Sequence, residues 1–292
     1  MPKQLVDLHM HSTASDGEEV PERLAELCRE AKLHTVALTD HNSTAHVRRM
    51  TDACAEAGID LIPACEISTD WKGREHHCLA YFVPLDDPVF SERIERVRQS
   101  DLARSRRWVE NAAADGVDIA WDRVEEEVGA DRVPPFAYLA RLLASTGDPR
   151  LERFRERRGS MWAEWFAAGR PWTTEDPWRP TLPEAIGWVR QAGGVPVLAH
   201  PGATLGDLDP ATAFAELRDA GLLGVEAWTT WHKREASKRF EGLAREAGLA
   251  VTAGADFHGP IVKGFVKGPG QVEHNDVSRL RELEVARESA RG

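Results

Sequence analysis

The feature that most constrains the fold is a regular alternation of short apolar segments with segments of helical periodicity. The apolar segments are rich in β-forming residues and predict strands at 4–11, 35–39, 61–67 and, less sharply, 76–82. Helical spacing of apolar residues separates the first three at 21–31 and 43–57. The alternation resumes after residue 181, with strands predicted at 194–199, 224–228 and 250–255. Strands that alternate with helices form largely parallel sheets, so the sequence predicts an α/β fold.

The character of the chain changes between residues 86 and 180, where long charged helical segments replace the alternation. Six of the ten tryptophans lie between Trp108 and Trp178, and four prolines follow one another closely over 171–183. We interpret 86–180 as an inserted helical subdomain that caps the substrate, between barrel segments 1–85 and 181–270. Residues 271–292 are highly charged and are predicted to form a peripheral C-terminal tail.

Charge and composition argue against several classes of protein. The 292 residues include 48 acidic and 37 basic side chains, a formal net charge of −11, which repels polyanions, so no long nucleic acid is expected as a partner. No apolar run approaches the roughly 18 residues of a membrane span, and the first residues lack a signal-peptide core. We therefore expect a cytoplasmic protein without a membrane partner. The four cysteines show no CxxC spacing and are expected to be buried thiols, and the oligomeric state is not indicated.

Imidazole and carboxylate side chains recur where the predicted strands end. His9 and His11 share one face of the first strand because side chains alternate along a strand. Residues of the same kind follow at Asp16, His41, Glu66, His77, His200, Asp256 and His258. One such residue alone is usually a cap or a satisfied core group, but the carboxyl ends of parallel barrel strands meet at one rim, where active sites are built. The joint pattern predicts a metal site, whereas His34, His46, His76 and His274 are read as structural.

The ordered set of these motifs resembles one enzyme family. The motifs are HMH at 9–11, SDG at 15–17, TDH at 39–41, the lone Glu66, HCLAYF at 77–82, AHPG at 199–202 and DFHG at 256–259. Over about 5–259 they resemble the polymerase and histidinol phosphatase (PHP) family of metal-dependent phosphoesterases. The resemblance is closer to the branch of nucleotide and 3′,5′-nucleoside bisphosphate phosphatases, which carries a helical insertion.

The resemblance implies a distorted (β/α)7 barrel that holds two to three divalent ions at one end. It implies a first ion among His9, His11, Glu66 and Asp256, and a second that Glu66 shares with His77 and His200. A third is implied at Asp16, His41 and His258. Mixed imidazole and carboxylate ligands accept several metals, and we expect manganese or iron first, with zinc as an option.

The function that the resemblance implies is hydrolysis of a phosphomonoester of a small nucleotide-like substrate, a mononucleotide or a 3′,5′-bisphosphate, by metal-activated hydroxide. Glu66 and Asp256 are the expected catalytic residues at the ions. His232 is expected to donate to phosphate or to protonate the leaving group, and Trp228 and Trp231 near it either stack a base or pack structurally. Three arginines of the insertion are candidates to bind a second phosphate: Arg104, Arg107 and Arg132.

One position departs from the family pattern, and three other functions stay open. Pro135 stands where the family branch carries a histidine, and proline neither donates a hydrogen bond nor carries charge, so one substrate contact is expected to be missing. The alternatives are a phosphatase of a sugar or amino-alcohol phosphate, a metal-dependent hydrolase of a non-phosphate ester or amide, and a non-catalytic metal-binding module. The last is disfavoured because all nine ligand positions are filled.

Overall fold

The computed structural model describes residues 4–155 and 158–289, and the chain divides into two compact units. The larger unit contains the described residues up to Glu95 and from Arg179 onward, and the smaller unit contains those of Arg96–Trp178. Residues 86–95, which the sequence placed in the insertion, therefore belong to the larger unit. Phe90 and Ile94 explain this, because both are buried in a cluster with barrel residues such as Ile67.

The strands and helices follow the predicted alternation outside the smaller unit. The strands are β1 (Leu5–Asp7), β2 (Leu33–Leu38), β3 (Asp60–Trp71), β4 (Arg74–Tyr81), β5 (Val195–Leu198), β6 (Gly224–Thr229) and β7 (Ala250–Gly254). The helices are α1 (Pro21–Glu30), α2 (Val47–Ala57), α3 (Pro88–Ala114), α4 (Trp121–Val128), α5 (Phe136–Ala144), α6 (Arg158–Met161), α7 (Leu182–Gln191), α8 (Pro201–Thr204), α9 (Pro210–Asp219), α10 (Arg234–Glu246) and α11 (Ser278–Ser289). Among the described residues, no helix has the length and apolar character needed to cross a membrane.

The strands of the described chain form one seven-stranded sheet in which each strand pairs with the next. The sheet curls back on itself, because the Leu8 N–H donates to the Ala253 carbonyl over 3.1 Å and Met10 pairs with Phe257. It is thus a nearly closed barrel, and the predicted distorted (β/α)7 barrel is confirmed.

Strand β4 departs from the parallel pattern, since it runs antiparallel to both β3 and β5. A two-residue hairpin turn causes the reversal: Lys72 and Gly73 have φ of 51° and 74°, as a type I′ turn requires. The amino-terminal half of β4 therefore reaches the barrel end at which the parallel strands finish. His77 pairs there with Ser68 of β3, while His76 is buried on the opposite face, its ring centroid 5.5 Å from that of Trp71.

An apolar cluster fills the barrel below this end. Ala64 of β3, Leu79 and Tyr81 of β4 and Val197 of β5 are fully buried in it, and the Tyr81 hydroxyl donates to the Leu8 carbonyl over 2.7 Å. Side chains two residues apart on a strand share a face, so Glu66 and His77 extend the faces of Ala64 and Leu79. The polar end of the barrel therefore rests directly on a packed apolar layer.

The prediction of a peripheral C-terminal tail over 271–292 is wrong for 271–289, and 290–292 lie outside the described residues. Helix α11 packs on the barrel, with Leu283 fully buried in the apolar cluster and Leu280 and Ala286 partly buried beside it. The Val277 N–H donates to the Gln4 carbonyl over 3.0 Å. Charged residues occupy half of the helix, and they obscure an apolar stripe of i, i+3, i+6 spacing that is narrow but sufficient for packing.

The smaller unit has a separate core. Its described helices bury Trp108, Leu143, Phe154 and Trp172 in one cluster, and Trp172 stacks on Trp165 with ring centroids 4.3 Å apart. Most tryptophans of this unit are therefore packing residues, as expected for large aromatic side chains. In the larger unit and in the chain as a whole, all four cysteines are buried free thiols.

Replacement of Leu283 tests whether α11 is part of the barrel core. We expect Leu283→Ala to lower the free energy of unfolding by about 2–5 kcal/mol, because it removes a fully buried side chain from the apolar cluster. Val285→Ala is the matched control, since Val285 lies on the same helix with 61% of its surface exposed and should change stability by less than about 0.5 kcal/mol. Equal small effects in urea unfolding would show that α11 is dispensable.

Candidate metal centre

Glu66 lies at the centre of the polar end of the barrel and is fully buried. Its Oε1 lies 3.0 Å from His77 Nδ1 and 3.1 Å from His200 Nε2. Its Oε2 lies 3.2 Å from the Nε2 atoms of both His9 and His11. One carboxylate therefore faces two sets of imidazoles, one set with each oxygen.

The first group of converging atoms joins His9, His11, Glu66 and Asp256. The two Nε2 atoms are 3.2 Å apart, and Asp256 Oδ1 lies 3.3 Å from the first and 3.1 Å from the second. Ring nitrogens and carboxylate oxygens at such distances repel one another through their lone pairs unless a positive charge lies among them. The donor set therefore fits a divalent cation, which imidazole and carboxylate bind together.

Two further groups adjoin the first. His41 and His77 converge with Glu66, and His11 and His41 converge with Asp16 and His258, with the ligating atoms of each group within 4.8 Å of one another. Asp16 Oδ1 lies 3.2 Å from His258 Nε2. The grouping differs in detail from the ligand sets that the resemblance implies. His41 belongs to both of these further groups, and His11 belongs to the first group and to the group of Asp16 and His258. The structure nevertheless brings all nine side chains together.

Opposing charges set the protonation of this cluster. Burial would raise the pKa of Glu66, but the imidazoles of His9, His41 and His77 hold it well below its usual range. Burial would likewise lower the pKa of His9, yet the carboxylates of Glu226, Glu66 and Asp256 hold it well above its usual value. The pKa of His41 falls to about 3, chiefly through burial, which keeps this imidazole neutral. The cluster thus attracts positive charge strongly, and a metal would compete with protons for it.

Two residues of the cluster have an uncommon backbone conformation. Asp256 has a φ of 53° and His200 a φ of 25°, both in the region that L-residues adopt at a cost. Such outliers persist where surrounding structure holds them and are frequent at functional sites. The contacts of the cluster thus hold Asp256 and His200 in backbone conformations that these residues do not favour by themselves.

Comparison with known proteins agrees with this arrangement. The family model of the PHP domain matches residues 7–129. A putative metal-dependent phosphoesterase of Bifidobacterium adolescentis has a solved structure that superposes with a TM-score of 0.81 at 29% identity, covering 98% of this chain and 97% of that one. Residues 7–129 of the chain are thus a PHP domain. With this domain and this cluster the protein is an enzyme, a metal-dependent phosphoesterase.

Two curated relatives of this PHP protein carry different names. A 3′,5′-nucleoside bisphosphate phosphatase of Chromobacterium violaceum is 26% identical over 256 residues, 87% of either chain. A 5′-3′ exoribonuclease of Escherichia coli is 28% identical over 266 residues, 88% of this chain and 86% of its own. The similarity extends over nearly the whole chain in each case, and the names cover both a phosphatase and a nuclease.

Glu226 supports the cluster from β6, a role that the strand-end pattern of the sequence does not predict. It is fully buried on β6; its Oε1 lies 2.9 Å from His9 Nδ1, and its Oε2 accepts from the His200 N–H over 2.9 Å. A hydrogen bond at Nδ1 leaves His9 Nε2 as the basic nitrogen that faces the cluster. Gly254 provides the space, because a Cβ there would lie 2.3 Å from the His9 Cβ. An acidic residue in an apolar strand was the available signal, since a buried carboxylate needs a partner.

Asp40 supports the cluster from the other side. Its Oδ1 accepts from the Ser12 N–H over 2.8 Å and from the Ser15 hydroxyl over 2.7 Å, and its Oδ2 accepts from the Ser12 hydroxyl over 2.7 Å. These bonds fix the loop that carries Asp16. The TDH motif therefore supplies a loop support in Asp40 and a cluster imidazole in His41.

The predicted role of His232 towards the substrate stays a prediction, and the structure gives this ring two backbone partners. Its Nδ1 lies 2.9 Å from the Ala227 carbonyl and its Nε2 accepts from the Gly202 N–H over 2.9 Å, so both ring nitrogens bind backbone groups. A Cβ at position 202 would lie 2.6 Å from the ring. His232 therefore connects the loop after β5 to β6, and it positions the segment that contains His200.

The three arginines proposed for phosphate binding lie in the smaller unit. Arg104 is 3.3 Å from Asp101 and 4.7 Å from the Trp108 ring, and Arg132 donates to the Val128 carbonyl over 3.3 Å. Arg107 is exposed. Their role with substrate stays a prediction. Pro135 directly precedes α5 as its N-cap residue, with no side-chain capping bond.

Glu226→Gln tests the outer support of the metal centre. An amide retains one acceptor where the carboxylate uses two, so His9 or His200 loses its support. We expect manganese affinity, measured by calorimetric titration of the metal-free protein, to fall by about 10- to 100-fold. Glu284→Gln on the exposed face of α11 changes the same charge and should leave the affinity unaltered. Unchanged manganese affinity in Glu226→Gln would show that Glu226 does not support the metal centre.

His232→Gln tests whether His232 acts structurally. Loss of its two backbone hydrogen bonds should lower the free energy of unfolding by about 1–3 kcal/mol. We expect the shape of the kcat–pH profile to stay as in the unaltered enzyme, because both ring nitrogens of His232 are engaged by backbone groups. His34→Gln, at a partly exposed imidazole on β2, should affect neither property. A drop in kcat of about 100-fold or more with loss of one limb of the profile would restore His232 as a general acid.

Proposed function

We propose that this enzyme releases phosphate from a phosphomonoester of a small nucleotide, a mononucleotide or a 3′,5′-bisphosphate, with two or three divalent ions held by the nine-residue cluster. The observation that carries the proposal is the Glu66 carboxylate, whose two oxygens face separate sets of imidazoles 3.0–3.2 Å away. The name of the Chromobacterium violaceum relative supports the substrate class. We propose manganese or iron as the metal because no thiolate takes part.

The metals supply a water of lowered pKa and neutralise the phosphate oxygens when bound. The residues of the chain orient the side chains of the cluster. Glu226 fixes the tautomer of His9, and Glu66 orients four imidazoles through its two oxygens. Asp256 directs Oδ1 to the cluster, while its Oδ2 lies 2.5 Å from Lys263 Nζ. Lys263 thus adds a positive charge beside the site. The sequence motifs did not predict this residue.

A second candidate is removal of the terminal nucleotide from a short RNA, which the name of the Escherichia coli relative favours. Both reactions need a phosphate at the metal centre and a nucleotide beside it. A formal net charge of −11 favours short substrates over long strands, since the chain offers no general attraction to a polyanion. A sugar or amino-alcohol phosphate and a non-phosphate ester stay as the alternatives that the assay must exclude.

Glu66→Gln in a substrate panel tests the proposal. The panel contains AMP, adenosine 3′,5′-bisphosphate, a short 5′-phosphorylated RNA, ribose 5-phosphate, an amino-alcohol phosphate and p-nitrophenyl acetate, each with manganese after chelation of the purified protein. We expect phosphate release from the mononucleotide or the bisphosphate, and a fall in kcat/KM of about 10³-fold or more in Glu66→Gln together with loss of bound metal.

His34→Ala provides the matched control, because this imidazole lies outside the cluster and should keep both activity and metal content. Full activity of Glu66→Gln would contradict the proposed centre. Turnover of the acetate ester or the amino-alcohol phosphate alone would contradict the proposed substrate class, while loss of metal in Glu66→Gln would still support the cluster.

A further inference from the structure

Two side chains outside the nine-residue cluster bind the outward oxygen of Asp256. The Trp231 Nε1–H donates to Asp256 Oδ2 over 2.5 Å, and Lys263 Nζ lies 2.5 Å from the same oxygen. The Trp231 ring centroid is also 5.9 Å from that of His200. An indole held by a carboxylate makes a strong, directional hydrogen bond. Trp231 is therefore fixed in contact with two cluster residues, on the loop that follows β6.

Trp231 and Phe265 form an exposed aromatic wall beside the cluster. Their exposed fractions are 42% and 58%, and their ring centroids are 5.5 Å apart in an edge-to-face arrangement. The Lys263 ammonium lies 4.9 Å from the Trp231 ring. Two neighbouring large aromatic residues exposed next to a metal centre are typical of a binding surface, since apolar pocket walls and a few polar groups recognise small ligands.

The loops that carry the aromatic wall are held in place. Glu18 Oε1 accepts from the Ile261 N–H over 2.5 Å and from the Val262 N–H over 2.7 Å, and Val266, next to Phe265, is buried in an apolar cluster with Phe257. The Thr230 hydroxyl donates to the Ala255 carbonyl over 2.9 Å. The exposure of the two rings is therefore fixed by the fold around them.

We propose that the aromatic wall is the subsite for the nucleobase of the substrate, and that Lys263 holds Trp231 and Asp256 in register while adding positive charge for the phosphate. The proposal rests on the proposed function, since it requires a nucleotide whose phosphate lies at the cluster. Trp231 of the wall binds Asp256 directly, so sugar and base would extend from a phosphate at the cluster towards the two rings. Every base has a flat face, so stacking selects for a nucleotide without selecting one base.

AMP and ribose 5-phosphate are the probes, because they differ only in the base. We expect the ratio of kcat/KM for AMP to kcat/KM for ribose 5-phosphate to fall by about 10-fold or more in Phe265→Ala and in Trp231→Leu, mainly through the KM for AMP. Trp231→Phe keeps a ring without the Nε1–H donor and should recover part of the ratio. Val285→Ala removes exposed apolar surface from α11, beside the start of β7, and should preserve the ratio.

The outcomes separate the subsite from the proposed function. AMP turnover with an unchanged ratio in Phe265→Ala and Trp231→Leu would overturn the subsite alone. An equal loss on both probes, with less bound metal in Trp231→Leu, would also overturn it and reduce Trp231 to a support for Asp256. Wild-type enzyme that turns over ribose 5-phosphate but not AMP would contradict both the proposed function and the subsite.

Discussion

The structure depends on keeping the Glu66 carboxylate ionised in a fully buried position. Removal of such a group from water costs several kcal/mol unless opposite charge or hydrogen bonds replace the hydration. Imidazoles from the segments after β1 and β2, from β4 and from the loop after β5 supply that replacement. Because each imidazole arrives on a different part of the barrel, the barrel must close before the cluster exists. Closure of the barrel and the charge balance at its polar end therefore depend on each other.

The reversed strand β4 shows how strictly the site constrains the fold. In an all-parallel barrel, His77 near the start of its strand would lie at the end remote from Glu66. The hairpin at Lys72 and Gly73 reverses β4, and its register places His77 across from Ser68, two residues beyond Glu66. A turn with two positive φ angles is inexpensive at Gly73 and tolerable at Lys72. A local turn thus completes a site whose other members come from distant parts of the sequence.

The sequence predicted those parts of the site that follow from strand ends. HMH, TDH and DFHG each place polar side chains directly after an apolar strand, and a parallel barrel collects such ends at one rim. The support by Glu226 and the two backbone bonds of His232 could not be predicted in this way. They depend on which atoms of separate segments meet, and the same residues fit either a support or a catalytic role. The packing of helix α11 on the barrel was not predicted, because its charged residues outnumber the three residues that pack.

Asp256 links the two parts of the centre, since one oxygen faces the imidazoles and the other binds Trp231 and Lys263. The Lys263 ammonium and the imidazoles of His9 and His258 hold the pKa of Asp256 well below its usual range against the effect of burial. The same ammonium lies against the exposed indole, so the charge that keeps the metal-facing carboxylate ionised also fixes the aromatic wall. A change at Lys263 would therefore alter the metal centre and the wall together, whereas a change at Phe265, which contacts Trp231 through its ring, would alter the wall without touching Asp256. This difference in contacts makes Phe265 the more informative position at which to examine the substrate of this enzyme.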